Sequence, residues 1–147
     1  MKLSTKGRYG VKAMVDLAIN YGGNPISIKN ISERQKISEY YLEQLFSSLR
    51  KAKLIKSIRG ATGGYVLGKA PEEITIYDIL EVLEGPIEIS TCLDSDCCNN
   101  IDCCATRMVW KKIKDSIDSV TTSITLKDIV EDYKSISKIK GVTIQNE

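Results

Sequence analysis

Histidine is absent from this 147-residue chain, and cysteine is absent everywhere except between Cys92 and Cys104. Without histidine the chain lacks both the usual general base near neutral pH and an imidazole metal ligand. No cofactor loop and no nucleophile–base constellation takes its place, so neither an enzyme nor a small electron carrier is expected. Long apolar runs are missing too. The nearest stretch, Val11 to Ile19, is broken by Lys12 and Asp16, and a membrane span needs ~18 apolar residues without interruption. Met1 to Lys6 lead into no apolar core of signal-peptide type. The expectation is a cytoplasmic protein with no membrane partner. Internal repeats and low-complexity tracts are also absent.

What is present suffices for one ordinary domain, or for one domain plus an appended arm: 42% apolar residues for a core and 27% charged residues for a surface. The net charge of +2 conceals an asymmetry. Residues 1–69 hold 13 Lys and Arg against 4 Asp and Glu, and residues 70–147 hold 8 against 15. A basic module that meets a polyanion, followed by an acidic module for sensing or assembly, would produce that division. Chance clustering on a solvated surface is the plainer alternative.

Three helix starts share one signature. Ile37-Ser38 precedes Leu42, Ile74-Thr75 precedes Ile79, and Ile124-Thr125 precedes Ile129. The hydroxyl can accept from an otherwise unpaired backbone N–H, and the preceding isoleucine can pack on the apolar residue one turn into the helix. Asp78 and Asp128 add charge that suits a helix N-terminus. Apolar periodicity then predicts helices over about Thr5–Tyr21, Ser27–Arg34, Glu39–Lys53, Ile76–Leu83, Ala105–Val120 and Leu126–Ile136. The first is expected to bury Val11, Met14, Val15, Ala18 and Ile19, and the third Leu42, Leu45, Phe46 and Leu49. A hairpin is expected from Leu54–Arg59 and Tyr65–Leu67 around the turn Gly60-Ala61-Thr62-Gly63-Gly64.

The fold class is therefore mostly α with a small β-hairpin: a winged helix-turn-helix plus a long helix suited to dimerisation. The organisation expected is a DNA-binding unit over 1–84, a cysteine-rich loop over 85–104, dimerisation and C-terminal helices over 105–137, and a polar tail over 138–147. With its apolar stripe buried, the third helix presents Tyr40, Glu43, Gln44, Ser47 and Lys51. Gln44 can pair with adenine edges, and Tyr40 and Ser47 can reach bases or phosphates. Ser38 and Tyr41, at the start of that helix, join them as DNA-binding candidates. Glu43 is repelled by phosphate unless a cytosine amino group donates to it, so it is either a discriminator between sites or a solvated surface residue. Arg59, beside the glycine-rich turn, can enter a narrow minor groove. Lys2, Lys6, Arg8 and Lys12 form a basic strip for phosphate contact. The later helix carries Val109, Trp110, Ile113, Ile117 and Val120 on one side, which means core or a two-fold partner, with Trp110 read as a packing anchor.

Leu3-Ser4-Thr5-Lys6-Gly7-Arg8-Tyr9, Tyr41-Leu42-Glu43-Gln44-Leu45 and Arg59-Gly60-Ala61-Thr62-Gly63-Gly64-Tyr65 resemble, in that order, the family of small bacterial winged-helix regulators that includes IscR, NsrR and CymR. The resemblance runs from Met1 to about Val130. It implies a homodimeric repressor or activator on a pseudo-palindromic operator. In the IscR-like branch it further implies a 2Fe-2S cluster and control of iron–sulfur biogenesis genes. Pairing in that family uses the helix after the cluster loop, here about Ala105–Val120, and the residue matching Glu43 is linked to the promoter class bound with and without cluster.

Cys92, Cys98 and Cys104 are spaced evenly at six residues, with Cys97 and Cys103 beside two of them. In a reducing compartment such a group points to a metal or redox site in preference to disulfides, and the odd number argues against full pairing. The even triple is similar to the cluster ligands of the IscR-like branch. That branch places a histidine three residues after the last of them, where this chain has Arg107, which keeps its proton and cannot ligate. Cys103 is the favoured fourth ligand and Cys97 the alternative, ahead of Asp94, Asp96 and Asp102. A 4Fe-4S cluster takes the same four thiolates. Structural zinc usually shows two-residue cysteine spacings, absent here, whereas thiol oxidation at the vicinal pairs is a competing reading. A thiol-sensing or cysteine-metabolism regulator without any cluster is the corresponding functional alternative.

Overall fold

The computed structural model describes residues 3–90, 93 and 105–141. The helices among them are α1 (Thr5–Ile19), α2 (Ile28–Gln35), α3 (Glu39–Lys51), α4 (Ile76–Glu84), α5 (Ala105–Ser123) and α6 (Leu126–Ile139). Between α3 and α4 lie β1 (Ile55–Ile58), β2 (Gly64–Leu67) and a 3-10 turn (Pro71–Glu73). The order is that of a winged helix-turn-helix with two further helices, as the sequence predicts.

All three expected caps form. Ser38 Oγ accepts from the Tyr41 N–H at 3.2 Å. Thr75 Oγ1 accepts from the Asp78 N–H while Asp78 returns an acceptor to the Thr75 N–H, at 3.1 and 2.9 Å. Thr125 and Asp128 repeat that exchange at 3.3 and 2.9 Å. Such caps contribute about 1 kcal/mol each. Ser27 is a fourth cap, accepting from the Asn30 N–H at 3.2 Å, so α2 starts one residue later than expected. At the other ends, Asn20 closes α1 by donating to the Asp16 carbonyl. Lys53 takes a left-handed φ of 63°, which places the end of α3 at Lys51. α6 runs on to Ile139, three residues beyond the expected Ile136.

The core gathers Met14 and Leu17 of α1, Ile31 of α2, Leu42, Leu45, Phe46 and Leu49 of α3, and Ile79 of α4, together with Leu126 and Val130 of α6. The α3 stripe is buried as expected. The α1 face is rotated from the expected one: Met14 and Ala18 are buried, but Val11, Val15 and Ile19 pack only partly, and Ala13, Leu17 and two glycines take their place. The reason is the close approach of α4. A Cβ on Gly7 would fall on the Glu84 carboxylate, and one on Gly10 on Leu83.

The hairpin pairs Ile55 with Leu67 and Ile58 with Gly64 in antiparallel register. Ile26, in the α1–α2 connection, adds a bridge to Tyr65, exchanging N–H···O bonds of 3.0 and 2.8 Å. Phe46 meets Tyr65 edge-on at 4.8 Å between ring centroids. The wing is thereby fixed to both the helix-turn-helix and the core. On the far side, the caps of α4 and α6 pair with each other, Ile76 donating to Ile124 and Leu126 to Ile74 at 2.9 Å. α5 touches α4 but buries none of its residues.

Candidate nucleic-acid interface and cysteine segment

Burial of one side of α3 leaves the other to solvent. Tyr40, Glu43 and Gln44 are exposed, Tyr40 to 72%, and Ser47 is half-buried. Of the five residues expected on that side, Tyr40, Glu43, Gln44 and Lys51 are thus open to solvent and Ser47 is partly so. Two of the candidates there are already engaged. Ser38 spends its oxygen on the α3 cap. Tyr41 is half-buried and leans on α1, its ring edge-on to Tyr9 at 6.0 Å and its hydroxyl 3.3 Å from that of Thr5. Tyr41 thus ties the start of α3 to the first turns of α1.

Lys6, Arg8 and Lys12 of that strip are all exposed, with Lys12 lying 5.8 Å above the Tyr9 ring. Lys2 lies outside the described residues. Arg59 is exposed immediately before the turn that closes the wing, where the close approach of Gly64 to the Ile26 carbonyl leaves no room for a Cβ.

Two features are not legible in the sequence. At the root of the wing Arg50, Lys53, Lys56 and Lys69 surround a hollow of about 610 Å3 lined also by Ile55 and Ile58. No linear spacing connects these four cations, because they reach the hollow from α3, β1 and the segments that follow α3 and β2. Their shared charge suits contact with phosphate. The second is Asp16, which is 3% exposed. Its carboxylate accepts from Arg34 Nε and Nη2 at 3.0 and 2.7 Å and from Gln35 Nε2 at 2.9 Å. A two-pronged guanidinium bond of this kind sets orientation as well as energy, and here it fixes α1 against the end of α2.

Cys92, Cys97, Cys98, Cys103, Cys104 and the alternative ligands Asp94, Asp96 and Asp102 lie outside the described residues, so their mutual geometry carries no part of the argument. The described residues contain no metal-ligating cluster of their own. The donor chemistry fits an iron–sulfur centre: five thiols, no imidazole and several carboxylates within one short segment. Arg107, in the first turn of α5, is half-buried.

The α5 stripe, expected as core or as the face of a two-fold partner, is only partly covered by this chain. Val109, Ile113 and Val120 are 39–56% exposed, Trp110 is 36% exposed and Ile117 is half-buried. No helix of the described residues is long and apolar enough to cross a membrane.

Residues 3–132 match the family model of Rrf2, described as an iron-dependent transcriptional regulator. The chain belongs to the Rrf2 family. It is 49% identical over 129 residues to the HTH-type transcriptional regulator CymR of Bacillus subtilis, covering 88% of this chain and 89% of that one. It is 40% identical over 134 residues to the HTH-type transcriptional regulator IscR of Photorhabdus laumondii, covering 91% and 82%. Among solved structures, CymR, the global cysteine regulator of B. subtilis, superposes with a TM-score of 0.77 at 46% identity, covering 89% of this chain and 97% of that one. IscR of T. potens superposes with a TM-score of 0.75 at 48% identity, covering 90% and 88%. This Rrf2 protein is accordingly a transcription regulator that binds DNA, and not an enzyme.

Proposed function

We propose that this Rrf2 protein is a dimeric regulator of iron–sulfur biogenesis genes whose grip on DNA follows the state of a cysteine-ligated cluster. The observation that carries the reading is the confinement of every cysteine to Cys92–Cys104, with an even six-residue triple, in a chain without histidine. Cys92, Cys98 and Cys104 would hold a 2Fe-2S cluster with Cys103, or Cys97 in its stead, as the fourth ligand. When bound, the cluster supplies a redox-active centre whose loss or oxidation changes charge and order next to α5. Four thiolates donate more negative charge than a set containing imidazole, so this centre is harder to reduce than a histidine-ligated one.

The rest of the chain binds and orients. Lys6, Arg8 and Lys12 hold phosphates, Gln44 reads base edges with Glu43 discriminating, and Arg59 enters the minor groove beside them. The uncovered stripe of α5 supports a second copy as partner, which would bring two α3 helices to a pseudo-palindromic operator. Such a protein works in the cytoplasm, where thiols stay reduced.

A cluster-free regulator of cysteine metabolism is the second reading, favoured by the 49% identity to CymR of B. subtilis. Anaerobic purification separates the two. The first reading expects brown protein with iron and sulfide in equal amounts, lost from single Cys92→Ala, Cys98→Ala or Cys104→Ala variants. Colourless protein free of both elements would leave the second.

A further inference from the structure

The N-terminus of α1 is held by a residue eighty positions away. Ser4, which precedes the helix, offers it no side-chain cap. Glu84, the last residue of α4, takes over. Its Oε1 accepts from the Ser4 N–H at 2.8 Å, the Ser4 hydroxyl at 2.5 Å and the Gly7 N–H at 3.1 Å. The first turn of α1 contains no acid and carries Lys6 and Arg8 nearby. Glu84 therefore provides both the acceptor for orphan N–H groups and the negative charge that a helix N-terminus favours.

The same place receives the leading flank of the cysteine segment. Glu84 leads straight into Gly85-Pro86-Ile87-Glu88, which precede Cys92, and α5 follows Cys104. Leu3, Leu80, Pro86, Ile87 and Ile117 line a hollow of about 290 Å3 at this junction, with Glu84 on its wall. The start of α1, the end of α4 and the later part of α5 thus meet at one junction with space beside it.

We propose that Glu84 is a positioning residue that couples the state of the cysteine segment to the DNA-binding face. When the leading flank of the segment shifts, Glu84 tightens or releases Ser4 and Gly7. The start of α1 moves with them, and with it Lys6, Arg8 and, through the Thr5–Tyr41 contact, the angle of α3. The proposal rests on the function above only for the event at the cysteines, and coupling of this kind requires an element that both sites bias.

A double-mutant cycle tests it, using a duplex selected by the wild-type protein from a randomised pool under anaerobic conditions. Replacing Cys92, Cys98 and Cys104 together by serine is expected to change affinity about fivefold or more in the Glu84 chain, and less than about twofold in Glu84→Ala. Glu84→Gln, which keeps the acceptor oxygen, should retain most of the response. Should Glu84→Ala lose helical content, Ser4→Ala and Gly7→Ala weaken the same junction from the α1 side and should each blunt the response. An equal fold-change in every background, or no response to the cysteine replacement in the wild type, overturns the proposal. Iron and sulfide assayed on the same wild-type preparation keep the two ideas apart. Iron-free protein that still shows a Glu84-dependent cysteine response retains the coupling and removes the cluster. Loaded protein with equal fold-changes does the reverse.

Discussion

Two amphipathic helices of this chain carry similar apolar stripes and meet opposite fates. On α3, Leu42, Leu45, Phe46 and Leu49 are at most 2% exposed, locked against α1, α2, α4 and the wing. On α5, Val109, Trp110, Ile113 and Val120 remain 36–56% exposed, and the helix buries nothing. Periodicity identifies which side of a helix is apolar, but it is silent on what covers that side. For α3 the cover is the rest of the same chain. For α5 the cover is incomplete within this chain, and exposed apolar residues on one helix are what a partner surface requires, which is why a second copy enters the proposed function.

The sharpest way to break this comparison is to damage each stripe in turn. Phe46→Ala should destabilise the fold by about 3–5 kcal/mol, the cost of a large cavity in a close-packed core, read as a lowered urea midpoint. Ile113→Asp should leave the unfolding of the winged body within ~1 kcal/mol of wild type. In sedimentation it should run as a monomer, with affinity for a two-half-site duplex reduced about a hundredfold through lost avidity. If Ile113→Asp unfolds the body instead, α5 belongs to the core and the contrast with α3 fails.

The outer side of α3 sharpens the contrast at lower cost. Gln44→Ala should leave stability unchanged and relax base preference by ~1–3 kcal/mol at one position, as a lost bidentate contact does. A binding-site selection that returns an unaltered motif would remove Gln44 from the reading face.

The smallest effect concerns the α6 cap. The Thr125 N–H bonded to Asp128 holds that carboxyl below the ordinary aspartate range, aided by the Thr125 hydroxyl and by Lys127. A depressed folded-state pKa adds stability above the unfolded value of about 4, and the gain disappears as pH falls through the folded value. Asp128→Asn should therefore be slightly less stable than wild type at neutral pH, and in thermal melts the difference should start to shrink as pH falls through about 4 and vanish below the lowered folded-state value.

The elements were legible because their signals are local. Ser38, Thr75 and Thr125 cap where their chemistry predicts, and the glycine-rich turn after Arg59 closes the wing. The solvent-facing side of α3 was legible for the same reason: once its apolar stripe is assigned to the core, Tyr40, Glu43 and Gln44 have only solvent left. The illegible features are those that join distant segments. The buried Asp16 looked like a break in an apolar stretch until Arg34 and Gln35 arrived from α2. The basic hollow at the wing root assembles from α3, β1 and the chain after β2. Glu84 resembled any surface carboxylate at the end of a helix, yet it holds the start of the chain. The α1 face rotated because two glycines admit α4 more closely than the aliphatic residues beside them would suggest.

The claim that joins the two halves of the molecule is that chemistry at the cysteines changes how the winged half holds DNA. It is tested most directly by titrating one duplex, without oxygen, with freshly purified protein and with the same protein stripped by a chelator. The account predicts that the fresh protein contains iron and sulfide and that stripping shifts the binding midpoint about fivefold or more. Superimposable curves from iron-containing and stripped protein would contradict it.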